Sequence, residues 1–289
     1  MRAPVLNVDL HAHSSVSDGL LAPAAVAERA RAGGAQVWAL TDHDEIGGLA
    51  EAAAASRDLR LTFVPGVEIS VTWRADPARK GTTVHVVGLN VDAGNAALNE
   101  GLAAVRAGRD ERAQRMAFDL GVAGIPDALE GARKYAINPA LLSRTHFARY
   151  LVEAGRVSST HQAFTRYLTE GKPGYVEHDW ATLEEAVAWI RGAGGTAVLA
   201  HPGRYKLSGK EMDSLLLQFR DLGGEAIEVM TGSHTTEQYN HFAETCRCYG
   251  FRASRGSDYH GPGESRYEPG ALPRLPADLV PVWKEWFGA

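Results

Sequence analysis

Asn7-Val8-Asp9-Leu10-His11-Ala12-His13-Ser14 carries a β-prone apolar run into two histidines set two places apart. Residues 4–10 read as a buried strand, and side chains two apart on an extended chain share a face, so His11 and His13 leave its end side by side. A lone histidine is ordinarily a packed or solvated residue. Here the pair is joined by Asp18 and, after the next helix, by His43 in Thr41-Asp42-His43-Asp44. Neutral imidazoles and carboxylates together suit zinc, iron or manganese.

Outward from that stretch the chain alternates short β-type runs with Ala-rich helical runs, the rhythm of a parallel α/β sheet or barrel. Helices are expected over 23–32 and 48–57, and strands over 37–41, 61–65 and 83–91, the last carrying His85. Gly66-Val67-Glu68 follows the third strand. The pattern then turns helical from 96 to 175, which reads as an inserted helical lid within a barrel formed by 1–95 and 176–289. Arg106, Arg109, Arg112 and Arg115 recur every third residue in it, and the default reading of such a stripe is a solvated face. Asn138-Pro139 and Ser143 are alternative helix starts.

The α/β rhythm returns with a helix over 182–192, where Thr182 and Glu185 have capping-box spacing, and a strand over 196–200 ending in His201-Pro202-Gly203-Arg204. A helix over 210–222, a strand over 225–230, a helix over 236–249 and a strand over 251–254 lead into Gly256-Ser257-Asp258-Tyr259-His260. The apolar end, Val282, Trp283, Trp286 and Phe287, is expected to pack across the body.

Composition excludes several classes. The net charge of −5 argues against a protein that coats nucleic acid. The charge is also uneven: residues 101–175 hold 11 Lys and Arg against 7 Asp and Glu, so a basic insertion faces an acidic body. That distribution fits a cation site covered by a segment that receives an anion. No apolar run approaches a membrane span and no signal-peptide pattern opens the chain, so a cytoplasmic protein that does not enter the membrane is expected. Cys246 and Cys248, two apart on a helix, point to different sides and read as reduced packing residues.

His11, His13, His43, Glu68, His201, Asp258 and His260 all fall at or just past the C-terminal ends of expected strands, the rim where α/β barrels assemble active sites. Asp258 and His260 repeat the spacing of the first pair. So many ligands exceed what one four-coordinate ion takes, and two or three ions are expected. Clustered divalent ions serve hydrolysis of phosphoesters, so the reaction class is metal-assisted hydrolysis.

The ordered set His11-x-His13, Asp18-Gly19, Thr41-Asp42-His43, Gly66-Val67-Glu68, His85, Ala200-His201-Pro202 and Asp258-x-His260 resembles the PHP (polymerase and histidinol phosphatase) family over nearly the whole chain. That resemblance implies a distorted seven-stranded (β/α) barrel with two or three divalent ions, often Mn2+, with Zn2+, Fe2+ or Mg2+ as alternatives. It implies one ion on His11, His13, Glu68 and Asp258, a second sharing Glu68 with His85 and His201, and a third on Asp18, His43 and His260. Asp18, His43 and Glu68 are the expected catalytic residues, around a hydroxide that bridges the ions and attacks phosphorus directly.

Ser143-Arg144-Thr145-His146, Gly171-Lys172-Pro173-Gly174-Tyr175 and His201-Pro202-Gly203-Arg204 are similar to the branch that contains nucleoside 3',5'-bisphosphate phosphatases and 5'-to-3' exoribonucleases acting on short RNA. The implied partner is therefore a small nucleotide, with short RNA as the alternative. A second phosphate needs its own cationic site, and arginine's planar fork suits it. Arg144, Arg204, Lys172 and His146 are the candidates, with His234 as a further substrate contact. A histidinol-phosphate phosphatase would want an acidic pocket instead, and a non-catalytic metal-binding module would be expected to have lost ligands.

Overall fold

Seven strands hydrogen-bond in chain order into one sheet in the computed structural model, which describes residues 6–76 and 78–286. They are β1 (Val8–Asp9), β2 (Val37–Leu40), β3 (Thr62–Trp73), β4 (Thr82–Leu89), β5 (Thr196–Leu199), β6 (Ala226–Thr231) and β7 (Arg252–Gly256). The sheet curls until its edges meet. Leu10 N donates to Arg255 O at 2.9 Å, Asp258 N to His11 O at 2.9 Å and His13 N to Tyr259 O at 2.8 Å. The result is a nearly closed seven-stranded barrel, the expected (β/α) architecture.

β1 is shorter than the expected 4–10, because past Asp9 the chain turns to these contacts with the β7 end; Pro4 and Val5, like Phe287, lie outside the described residues. The barrel is also not all parallel. β4 runs antiparallel to both β3 and β5, while the remaining neighbours are parallel. The expected stop after Pro65 is overturned, for β3 is one 12-residue strand that pairs with β2 up to Pro65 and with β4 from Gly66. Gly66 makes the exchange of partners possible: a Cβ there would meet Thr41 Cγ2 at 2.8 Å and Gly88 O at 2.9 Å.

Helices α1 (Pro23–Ala32), α2 (Leu49–Asp58) and α3 (Ala96–Ala107) precede a run of four more, α4 (Arg109–Val122), α5 (Ala128–Arg133), α6 (Arg144–Glu153) and the short α7 (Thr160–Ala163). Then come α8 (Leu183–Gly192), α9 (Gly209–Asp221) and α10 (Thr236–Tyr249). Both alternative starts are used, Asn138 capping a 3-10 turn and Ser143 capping α6. Val8, Val37, Val64, Val87, Val198 and Ala226 fill one end of the barrel, where Val282, Trp283 and Trp286 of the tail pack on them. A separate core gathers Met116 and Leu120 of α4 with Phe147 and Leu151 of α6. Leu98, Leu102 and Val105 of α3 belong instead to the core between the sheet and α8–α10, so the division between cores falls one helix later than residue 96. Among the described residues no helix is long and apolar enough to cross a membrane.

Candidate metal centre and substrate cavity

At the barrel rim the expected ligands converge from all parts of the chain. His11 and His13 follow β1, His43 follows β2, Glu68 lies within β3, His85 within β4, His201 follows β5, and Asp258 and His260 follow β7. His11 Nε2 and His13 Nε2 lie 3.1 Å apart. Close approach of β7 to this pair depends on Gly256, where a Cβ would meet His11 Cβ at 2.2 Å.

Glu68 stands at the centre, fully buried, with its two oxygens turned to different imidazoles. Oε2 lies 3.4 Å from His11 Nε2, 3.3 Å from His13 Nε2 and 3.0 Å from His43 Nδ1. Oε1 lies 2.9 Å from His201 Nε2 and 3.0 Å from His85 Nδ1. Asp258 Oδ1 is 3.3 Å from His13 Nε2, and Asp18 Oδ1 is 3.4 Å from His260 Nε2. Four overlapping groups each bring their ligand atoms within 4.8 Å: His13, Asp18, His43 and His260; His11, Glu68 and His201; His11, His13 and Asp258; and His43, Glu68 and His85. His43 therefore spans two groups, facing Glu68 through one nitrogen and Asp18 through the other.

These residues fit divalent cations. Asp18 Oδ1, Glu68 Oε2 and Asp258 Oδ1 are buried and accept no hydrogen bond among the described residues, an arrangement that is costly without a cation to face them. Burial pushes these carboxyls up, yet the surrounding imidazoles hold all three well below the usual carboxylate range. Burial brings His13 down to about 3, helped by His260 and His43, and His201 down to about 3, helped by Arg204. Others move the opposite way: burial opposes the charge on His260, but the Asp18 carboxylate lifts it to about 9, and neighbouring carboxylates likewise raise His11 and His43.

A second layer holds the ligands. Glu228 Oε1 accepts from His11 Nδ1 at 2.8 Å while its Oε2 accepts from His201 N at 2.6 Å, which fixes the His11 tautomer and aims Nε2 at the rim. Asp42 accepts from Ser14 N, Ser14 Oγ and Ser17 Oγ at 2.5–2.7 Å, shaping the loop that ends in Asp18. Neither carboxylate is among the sequence-derived site residues. Glu228 shows itself only as a charged residue inside the apolar run of β6; Asp42 adjoins His43 without a role of its own.

The insertion reaches the same rim. Ser143 Oγ donates to Asp18 Oδ2 at 2.9 Å, and Arg149 donates to Asp18 O at 2.7 Å while pairing with Glu264. The arginine stripe is not a solvated face. Gly108 divides it between α3 and α4; Arg106 donates to Asp44 O and Arg109 to the Asp44 carboxylate. Arg112, 5% exposed, donates to Val176 O and packs with Arg109 against the Trp180 ring. Only Arg115 is exposed.

Asp18, His43, His85 and His260 form one wall of a cavity whose other walls carry Arg109, Arg112, Arg144 and Arg204, with Phe164, Tyr175 and Trp180. Its space is about 700 Å³ when the open solvent at its mouth is included. Arg204 pairs with Asp258 at 3.0 Å. Arg112 and Arg144 make no ion pair among the described residues; burial and neighbouring arginines push Arg112 down to about 9 and lower Arg144 as well.

The other expected substrate contacts lie elsewhere. Lys172 is exposed and does not line the cavity. His146 is buried in the α6 cap, its Nδ1 accepting from Ser143 N at 3.0 Å. His234 is turned inward, stacked on Phe242, with Nε2 accepting from Gly203 N and Nδ1 meeting Val229 O, so both ring nitrogens are already used.

A barrel rim of this composition defines a class, the phosphoesterases that work through clustered divalent ions. The chain belongs to the PHP domain family, whose model matches residues 9–232. It is 48% identical over 279 residues to the 3',5'-nucleoside bisphosphate phosphatase of Chromobacterium violaceum, covering 96% of each chain. It is 41% identical over 280 residues to the 5'-3' exoribonuclease Rnm of Escherichia coli, covering 96% of this chain and 93% of that one. A solved structure described as an amidohydrolase from Chromobacterium violaceum, with bound sulfate and no metal, superposes with a TM-score of 0.92 at 48% identity, covering 96% of this chain and 95% of that one.

Proposed function

We propose that this phosphoesterase removes the 3'-phosphate of nucleoside 3',5'-bisphosphates, such as adenosine 3',5'-bisphosphate, giving the nucleoside 5'-phosphate and phosphate. The observation that carries the reading is the meeting, in one cavity, of a carboxylate and imidazole rim with two arginines, Arg112 and Arg144, that make no ion pair among the described residues. A substrate with one phosphate leaves one of these sites unmatched. One with two phosphates fills both, and the similarity to the Chromobacterium enzyme agrees.

His11, His13, Asp18, His43, Glu68, His85, His201, Asp258 and His260 would hold two or three divalent ions, proposed to be manganese, which when bound polarise the phosphoryl group and lower the pKa of water at the rim. The chain does the rest. Arg112 and Arg144 grip the 5'-phosphate by charge-assisted bonds, while Phe164 and Tyr175 wall the nucleoside. Glu68 fixes the spacing of the two ligand groups that share it. Water oxygen joins phosphorus, the bond from phosphorus to O3' breaks, and O3' takes the proton. The proposed compartment is the cytoplasm, in keeping with free Cys246 and Cys248.

The test is phosphate release from manganese-loaded protein given adenosine 3',5'-bisphosphate, with histidinol phosphate in parallel. The bisphosphate should be converted to AMP and histidinol phosphate turned over far more slowly. Arg112→Met should raise KM for the bisphosphate by about tenfold or more, the loss of about 1.5–3 kcal/mol of hydrogen bonding to a charged group. Equal turnover of both substrates would displace this reading.

A further inference from the structure

Gly171-Lys172-Pro173-Gly174-Tyr175 stands out in the sequence, yet its lysine stays clear of the arginine cavity. What the segment builds instead is a partition. Tyr175 and Val176 line that cavity on one side and, on the other, an outer pocket on the α4 surface. Arg112 and Arg115 are three places apart on α4, and the helix presents one of them to each side of this wall. Arg112 is buried beside the cavity. Arg115 is exposed, with Phe118, Glu111 and Asp119 around it in the outer pocket.

The wall is firmly built. Gly174 passes α4 with no room for a side chain, since a Cβ there would meet Leu120 Cδ2 at 2.8 Å, and its N donates to Tyr167 O at 2.7 Å. Tyr175 N donates to Lys172 O at 3.0 Å, and Lys80 Nζ lies 5.4 Å from the Tyr175 ring centre while pairing with Glu170 at 2.8 Å. Arg112 Nε donates to Val176 O at 3.2 Å, so the residue proposed to grip the 5'-phosphate also fixes the wall beside it. Tyr175 stands within electrostatic reach of both Arg112 and Arg144. A phosphate held between that pair therefore abuts the partition.

We propose that Tyr175 is a specificity-determining residue that closes the 5' end of the cavity, so that a nucleotide is accepted with a free 5'-phosphate and rejected when that phosphate carries a further group. The inference rests on the bisphosphate reading, which places the 5'-phosphate on Arg112 and Arg144. A free phosphate ends at the wall. A group bonded to one of its outer oxygens has to displace the Tyr175 ring, and what lies beyond is no ready receptor, because Glu111 and Asp119 outnumber Arg115 there. Selection then works by a clash with the wrong ligand in addition to contacts with the right one. The chemistry at the 3'-phosphate is the same for both.

The experiment compares kcat/KM on manganese-loaded protein for adenosine 3',5'-bisphosphate and for adenosine 3'-phosphate 5'-phosphosulfate, read as phosphate released from the 3' position. The two share nucleoside and 3'-phosphate, and the sulfate lengthens the 5' end without reducing its negative charge. Wild type should prefer the bisphosphate by about tenfold or more. Tyr175→Ala and the milder Tyr175→Val, whatever they do to the absolute rates, should narrow that preference by about threefold or more, whereas Tyr175→Phe should keep it. Independently of turnover, isothermal titration should find adenosine 5'-phosphosulfate binding wild type more weakly than AMP, with the gap shrinking in the same two variants. A wild type that uses both substrates equally overturns the wall. So does a preference that survives both variants undiminished, which would belong to the phosphate group itself. Wild-type protein inactive on the bisphosphate overturns the proposed function instead.

Discussion

Glu228 receives hydrogen bonds from two candidate ligands at once, the His11 ring and the His201 backbone. Glu228→Gln keeps the shape but offers one accepting oxygen to two donors, so an N–H is left facing an amide NH2 in a buried site. Metal affinity should fall by about 10–100-fold while the far-ultraviolet circular dichroism stays unchanged; titration against a chelating dye reads the first. An unchanged affinity would show that His11 is oriented by the barrel backbone alone. Strain gathers here too, since Asp44, His201 and Asp258 have φ of +51°, +27° and +54°, conformations that non-glycine residues hold only where surroundings enforce them. The convergence of these candidate ligands was legible in the sequence because period-two spacing and strand ends betray it. Glu228 was not, because within a strand its carboxylate looks like any polar interruption until β5 and β1 are folded against it.

At the scale of the element, α6 is tied to the rim through its cap. Ser143 caps α6 and also donates to Asp18, and His146 at the third helical position closes the capping box by accepting from Ser143 N. Burial lowers the His146 pKa from its ordinary value near 6.5 to about 4, with Asp18 opposing and Arg149 assisting. The folded state then binds fewer protons than the unfolded chain between these values. The stabilisation is complete above pH 6.5 and is lost as pH falls towards 4, amounting to about 2 kcal/mol at pH 5. Glutamine fills the same capping role without a proton to gain. His146→Gln should therefore lose less stability than wild type between pH 7 and pH 5, read by denaturant melts of metal-free protein; equal losses would remove His146 from the cap's pH response. The start of α8 was readable from local capping chemistry, through the spacing of Thr182 and Glu185. The through-running β3 was not, because Pro65-Gly66 reads as a stop unless the partner strand changes beneath it, which only tertiary pairing reveals.

For the whole molecule, the insertion and the barrel meet over a rim of ionised carboxylates, and binding of cations there links directly to unfolding. At a metal concentration about 100 times Kd the folded state gains about 2.7 kcal/mol, which for a chain of this size raises the melting midpoint by about 4 °C. Chelator should remove that increment and manganese restore it, as followed by differential scanning calorimetry. Glu68→Gln, which replaces one shared oxygen with an NH2 and removes the charge, should show little of the shift. A wild-type midpoint indifferent to chelator would mean that the rim is satisfied without cations.

The same zipper that closes the barrel joins residues from opposite ends of the chain: Leu10 to Arg255, Asp258 to His11, Tyr259 to His13. Closing so long a loop is entropically costly and late. His11 and His13 therefore meet Asp258 and His260 only once β7 has closed against β1. Two of the four ligand groups, those completed by Asp258 and by His260, wait on that closure, while the two that share Glu68 are complete without the final strand.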